Sequence, residues 1–183
     1  MNKNLWKPGS KWLIGIPVGG IIMIVIGAFA ALSFNSVLHL TNSNDFCYGC
    51  HIGMDTVVEE YQVSIHGSNE LGIVATCSDC HVPQEFFPKM KVKILATKDI
   101  YHMLVGTITL DNFEEHRAPL AEKVRADMKV RDSKECRNCH NADQWDLERQ
   151  SDKAQKNHNQ QSWVEKDKTC VSCHIGVAHK KPR

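Results

Sequence analysis

The first long apolar stretch of the chain runs from Leu13 to Phe34, LIGIPVGGIIMIVIGAFAALSF, 22 residues without a charge. About 20 apolar residues are enough to cross a bilayer as a helix. Pro17, Gly19 and Gly20 would weaken a soluble helix, whereas membrane helices tolerate them. Trp6 and Trp12 sit where an interfacial aromatic belt would lie, and Lys3, Lys7 and Lys11 precede the run. The excess of positive charge on that side predicts a cytoplasmic N-terminus and export of everything after Phe34. The competing reading is a cleaved signal peptide, because Ala28-Phe29-Ala30 matches a cleavage site. The apolar run is longer than a signal core of about 7–15 residues and continues past that site. The pattern therefore predicts a cytoplasmic segment at 1–12, a transmembrane anchor at 13–34 and an exported domain at 35–183.

Beyond the anchor the periodicity is helical. Thr56 to Ser64 reads as a helix, and so does Phe86 to Leu104. The second carries an apolar stripe, Met90, Ile94 and Leu95, beside Lys89, Lys91 and Lys93. That combination suits a helix lying at a membrane surface, and equally an ordinary amphipathic helix. Leu120, Val124 and Met128 recur every four residues and mark a third helical face. No run alternates as a half-buried strand does. The fold class is mainly α, with one N-terminal transmembrane helix and a small domain with little or no sheet.

Composition adds two constraints. A formal charge of +1 gives no reason to expect nucleic-acid binding. Aromatic residues make up 7% of the chain, which is thin for the core of a domain this size.

The eight cysteines supply the chemistry. All of them fall into four copies of one pattern: Cys47-Tyr-Gly-Cys50-His51, Cys77-Ser-Asp-Cys80-His81, Cys136-Arg-Asn-Cys139-His140 and Cys170-Val-Ser-Cys173-His174. Two thiols at this spacing form thioethers with the two haem vinyl groups, and the adjoining histidine reaches the iron. Two zinc sites, each built from a pair of C-x-x-C knuckles, would not require a histidine after every second cysteine. The pattern predicts four covalently bound haem c groups. Four porphyrins would also fill the core that the side chains leave thin. This attachment chemistry takes place outside the cytoplasm, in agreement with the orientation read from the lysines. First cysteines are separated by 30, 59 and 34 residues, which is compatible with two duplicated haem pairs.

Four low-spin haems take eight axial ligands. The motifs offer His51, His81, His140 and His174, and His39, His66, His102, His116, His158 and His179 remain. His66 precedes a Gly-Ser turn, His158 lies in a polar stretch, and His179 sits just before the charged tail. None of these three has a packing reason to be where it is, so each is either an iron ligand or a solvated histidine. His116, in the run Glu114-Glu115-His116-Arg117, reads as a solvated ion-pair partner.

The sequence resembles the NapC/NirT family of membrane-anchored tetrahaem cytochromes, and its NapC branch most. The likeness rests on the anchor, the four motifs in order and several shared stretches. These include Cys77-Ser-Asp-Cys80-His81-Val82-Pro83, Phe86-Phe87-Pro88-Lys89-Met90 and Lys98-Asp99-Ile100-Tyr101. Glu135-Cys136-Arg137-Asn138-Cys139-His140-Asn141 and Cys173-His174-Ile175-Gly176-Val177-Ala178-His179 complete the set. The resemblance implies that His66, His158 and His179 are distal iron ligands. Some members ligate the first haem with a methionine two residues after the motif histidine. Here the order is His51-Ile52-Gly53-Met54, one residue longer, so His51 and Met54 both stand as its axial ligand.

The same resemblance implies a quinol dehydrogenase. It would oxidise menaquinol or ubiquinol at the surface of the inner membrane and pass electrons to a periplasmic reductase or its cytochrome subunit, nitrate reductase foremost. The alternative is an obligate electron-transfer subunit of a fixed reductase complex, of the nitrite reductase type. A homodimer is compatible with either. By likeness, Asp99 lies over the first haem and Lys93 lines the quinol pocket. A carboxylate there would accept a quinol proton, and a lysine would favour the anionic quinol. His39 and His102 are reserve proton acceptors. Six residues turn an ideal helix by about 240°, so Lys93 and Asp99 would not share one helical face.

Overall fold

The computed structural model describes residues 12–13, 16–50, 54–159 and 167–182. The chain divides into two compact units, Met1–Asn42 and Ser43–Arg183.

The first unit is a short hairpin followed by a long helix. Strands β1 (Trp12–Leu13) and β2 (Ile16–Pro17) pair antiparallel, with Trp12 opposite Pro17 and Leu13 opposite Ile16. Helix α1 occupies Val18–Leu40, 23 residues. It begins directly after Pro17, whose extended backbone caps it, rather than at Leu13. A proline disfavours helical backbone in the residue before it, which keeps Ile16 in a strand. Twenty-three residues at a rise of about 1.5 Å each give roughly 35 Å, longer than the hydrocarbon core of a bilayer. Ile22, Met23, Val25, Phe29 and Leu32 are exposed, and no residue of α1 is buried. The helix is long and apolar enough to cross a membrane. Its polar side chains bond back to their own backbone: Asn35 Nδ2 donates to Ala31 O at 2.8 Å and Ser36 Oγ to Leu32 O at 2.9 Å. Such bonds let polar residues sit in an apolar helix without leaving a donor unsatisfied.

The regular structure of the second unit is helical among its described residues, with turns and irregular segments between the helices. It contains α2 (Asn44–Cys50), α3 (Met54–Gln62), α4 (Cys77–His81), α5 (Phe86–Leu104), α6 (Phe113–Val130) and α7 (Lys134–Arg137). Two 3₁₀ turns, Ala142–Gln144 and Leu147–Arg149, lead to α8 (Asp152–His158) and α9 (Cys170–Cys173). The longest helix of the unit, α5, has the bounds its apolar periodicity predicts. On α6 the inward stripe is Phe113, Arg117, Ala121, Val124 and Met128, with Leu120 at its rim.

Side-chain packing is sparse. Tyr61 and Phe113 are the buried large hydrophobics among the described residues, and Pro83 is fully enclosed. A domain of this length ordinarily buries far more apolar surface. Polar ties do much of the joining instead. Tyr61 Oη donates to Ala75 O at 2.7 Å. Arg117 and Glu60 are both buried and pair with each other. Arg131 Nε donates to the buried Glu135 carboxylate at 2.9 Å.

Candidate haem sites

The second and fourth haem-attachment motifs each begin a short helix, and the caps explain why; the third starts within α7, two residues after Lys134. Thr76 precedes α4 and exchanges hydrogen bonds with Asp79; Thr169 precedes α9 and does the same with Ser172. A capping box of this kind satisfies donors that a four- or five-residue helix otherwise leaves open. The motif peptides then join in pairs. Asn44, three residues before Cys47, accepts from Cys77 N at 2.9 Å. Ser133, three residues before Cys136, accepts from Val171 N at 3.1 Å. The first and second motifs are tied in the same way as the third and fourth.

The thiols follow this pairing. Cys47 lies within hydrogen-bonding reach of Cys77, and burial followed by that neighbour pushes the Cys77 thiol up to about 11. Cys136 and Cys170 share a hydrogen bond, which pushes Cys170 down to about 6 and Cys136 up. Of the two, Cys170 is the one whose thiolate is favoured, the form that acts as nucleophile. No disulfide joins the seven described cysteine side chains. The Cys50 side chain lies outside the described residues.

The histidines meet across the chain in three pairs. His66 and His140 have ring centroids 6.1 Å apart, His81 and His179 6.3 Å, and His158 and His174 5.9 Å. Each pair joins one motif histidine to one of the three that the sequence singled out. An imidazole nitrogen lies about 2 Å from a ligated metal, and its ring centroid about 1 Å farther on. Two imidazoles on opposite faces of one iron therefore hold their centroids about 6 Å apart. The observed separations fit a shared iron between each pair, and the thin apolar core fits a chain that packs on porphyrins.

The three non-motif histidines are also oriented. His66 Nδ1 is 3.2 Å from Val177 O, His179 Nδ1 is 3.1 Å from Val57 O, and His158 Nδ1 is 2.5 Å from Gln150 Oε1. Each acceptor holds the proton on Nδ1 and leaves Nε2 for a metal. Gly67 helps aim His66, since a Cβ there would collide with the Tyr61 carbonyl. The C-terminal segment is strapped to α3 by the His179 bond and to the turn after α3 by the His66 bond. Glu60 also accepts from Lys180 N at 2.8 Å, and Arg117 Nη2 donates to Lys180 O at 3.0 Å.

The first motif is described only in part. His51 lies outside the described residues, and so does the side chain of Met54, which opens α3. The choice between them as axial ligand falls outside the described residues as well.

Helix α5 has two unlike faces. Lys89, Lys93 and Ala96 are half-buried, whereas Phe87, Ile94, Lys98, Tyr101 and Leu104 are exposed. Burial pushes the Lys93 ammonium down, Lys89 adds to that, and Cys47 opposes it. Lys93 is thus within electrostatic reach of the first motif. Asp99 is exposed, and an unbroken α5 sets it about 120° around the helix from Lys93. The structure therefore does not bring the two onto one face. His102 is half-buried, with an Nδ1 that has no hydrogen-bond partner. His39 lies in the last turn of α1. In the charged run on α6 the ion-pairing falls to Arg117, which reaches both Glu114 and Glu60, while His116 is half-buried.

Several residues of these sites carry no sequence signal. Gln150, Glu60 and Ser133 belong to no motif, and their partners are 8, 57 and 38 residues away. The signal for Gly67 was its place in the turn after His66.

Residues 10–183 match the NapC/NirT cytochrome c family, N-terminal region. The chain is 41% identical over 190 residues to cytochrome c-type protein NapC of Escherichia coli strain K12, covering 98% of this chain and 90% of that protein. It is 41% identical over 181 residues to the denitrification system component NirT of Stutzerimonas stutzeri, covering 97% of this chain and 87% of that one. It is 39% identical over 178 residues to cytochrome c-type protein NapC of Paracoccus pantotrophus, covering 96% and 73%. No solved structure matches the chain. With its apolar N-terminal helix and its repeated attachment motifs, the chain belongs to the NapC/NirT cytochrome c family, as a membrane-anchored multihaem cytochrome of electron transport.

Proposed function

We propose that this protein is a quinol dehydrogenase of the inner membrane that passes electrons through four covalently bound haem c groups to a periplasmic reductase, with nitrate reductase the foremost acceptor. The observation that carries the haem assignment is the set of three imidazole pairs at about 6 Å, each joining a motif histidine to a distant one. In this reading the eight motif cysteines hold the porphyrins. His140 with His66, His81 with His179, and His174 with His158 would each hold one iron, and His51 or Met54 would serve the first haem. Bound haem supplies a one-electron Fe(III)/Fe(II) couple.

The chain's own residues do the rest. Helix α1 anchors the protein with its domain on the periplasmic side. Phe87, Ile94 and Tyr101 on α5 meet the lipid surface, with Lys91 and Lys98 beside them for anionic headgroups. Lys93, beside the first motif, hydrogen-bonds the quinol oxygen and favours its anionic form. Asp99 receives a proton at its carboxylate and releases it to water, which its exposure permits.

The test uses the holoprotein in lipid nanodiscs without air. A menaquinol analogue is added, the visible spectrum is recorded, and dithionite follows. Reduction of the c-type bands by quinol supports the proposal. Reduction by dithionite alone would mean that quinol oxidation needs a partner, as in a fixed reductase complex. Absence of c-type bands with either reductant would overturn the haem assignment.

A further inference from the structure

Two of the non-motif histidines, His66 and His179, give their Nδ1 to main-chain carbonyls, whose acceptor strength is the same whatever side chain is present. His158 gives its Nδ1 to a side chain, the amide oxygen of Gln150. The main chain that carries this amide is held in place from several directions. Gln150 N donates to Leu147 O at 3.0 Å, closing the second 3₁₀ turn. Gln155 Nε2 donates to Gln150 O at 2.8 Å. Ser151, next in the chain, caps α8 by accepting from Ala154 N at 3.4 Å. The Trp145 ring lies against His158 with centroids 4.9 Å apart. The segment from Trp145 to Ser151 is thus a brace built around the imidazole at the end of α8.

We propose that Gln150 is a positioning residue for His158 and sets the donor strength of that imidazole toward the iron it shares with His174. The inference rests on the ligand pairing given under Proposed function. With iron on Nε2 the proton stays on Nδ1, so the amide oxygen is the acceptor. Accepting that hydrogen bond draws electron density into the ring and strengthens Nε2 as a donor, which favours Fe(III) over Fe(II). The couple involves one electron, and no proton leaves the imidazole. A carboxylate accepts more strongly than an amide, and an alkyl side chain does not accept at all. This position therefore tunes one haem by a single residue, in either direction.

The experiment is spectropotentiometry with electron paramagnetic resonance on the holoprotein in nanodiscs. It compares Gln150→Glu, Gln150→Leu and His158→Ala with the parent. Gln150→Glu should lower one midpoint potential and Gln150→Leu should raise the same one, with the other haems unmoved. The g-spread of one low-spin signal should change with it. Unmoved potentials in both variants, or shifts in the same direction in both, would overturn the role, since mere loosening does not reverse sign. If Gln150→Leu fails to mature, Gln150→Glu alone decides by the sign of its shift. His158→Ala tests the underlying ligand pairing separately: it should turn one haem high-spin. An unchanged count of low-spin haems in that variant would refute the pairing itself, whatever Gln150 does.

Discussion

Arg117 on α6 donates to the Glu60 carboxylate on α3, and the same carboxylate oxygen accepts from Lys180 N, next to His179. Both charged side chains are buried. Burial alone would raise the Glu60 carboxyl; the Arg117 hydrogen bond, the Lys180 N–H and the nearby positive charge outweigh it and hold the group below the ordinary carboxylate range. A depressed folded value means that the stability is present above the unfolded value, about 4.3, and is lost as pH falls through the folded one. Glu60→Gln removes the buried charge and leaves Arg117 paired with the exposed Glu114 carboxylate. It should cost about 3–5 kcal/mol, read by thermal unfolding at pH 7. The difference from the parent should shrink as the pH falls toward 3. A variant equally destabilised at both pH values would show that the pair does not titrate in this way.

The imidazole pairs make a residue-by-residue prediction. His66→Ala, His158→Ala and His179→Ala should each convert one haem to high spin, about a third of the low-spin signal, because three haems carry two histidines each. The double variant His81→Ala, His179→Ala should lose no more low-spin haem than His81→Ala alone, because both residues serve one iron. Gly67→Ala should resemble His66→Ala in part, since the added methyl collides with Tyr61 O and moves the adjoining His66. Additive losses in the double variant would mean that the pairing is wrong.

The sequence carried some of this more plainly than the rest. The four motifs, the apolar helix and the periodicity of α5 are local patterns and were readable from spacing alone. His66, His158 and His179 stand out by lying in segments that give them no packing reason to be there, but which motif each one meets is a tertiary fact, with His179 returning 98 residues to His81. The charge-free run from Leu13 marks the anchor, and the structure begins its helix at Val18, because Pro17 sets the backbone before it. Gln150 and Glu60 gave no warning, since an isolated polar residue in a polar stretch reads as solvated until its partner is seen.

Lys93 invites a pH test. Burial lowers its ammonium, and Lys89 one turn away adds repulsion. Cys47 opposes this as a thiolate, and that opposition disappears once the sulfur is a thioether. A positive charge that favours anionic quinol should therefore be lost at a pH below the ordinary lysine value of about 10.4. Quinol-driven haem reduction should decline on that alkaline limb. Lys93→Arg, whose guanidinium stays charged, should move the decline to higher pH. Lys93→Met should slow reduction by about tenfold or more at pH 7, with dithionite reduction unaffected. Asp99→Asn should slow the same step. An alkaline limb that does not move in Lys93→Arg would exclude this lysine as its cause.

Ser133 shows what the tie between paired motifs costs to break. Its side chain is fully enclosed, its φ is +48°, and its hydroxyl accepts from Val171 N inside the fourth motif. Ser133→Ala leaves that N–H without its acceptor, a cost of about 1–3 kcal/mol, and keeps the strained backbone. Ser133→Gly loses the same bond but accepts positive φ at no steric cost. The glycine variant should therefore be the more stable of the two, despite being the larger truncation. Asn44→Ala breaks the corresponding tie in the first pair, at a half-buried site, and should cost less than Ser133→Ala. Thermal unfolding of the three holoproteins decides this. If alanine and glycine at 133 are equally destabilised, backbone strain plays no part; if Asn44→Ala costs as much as Ser133→Ala, the two ties are equally buried in solution.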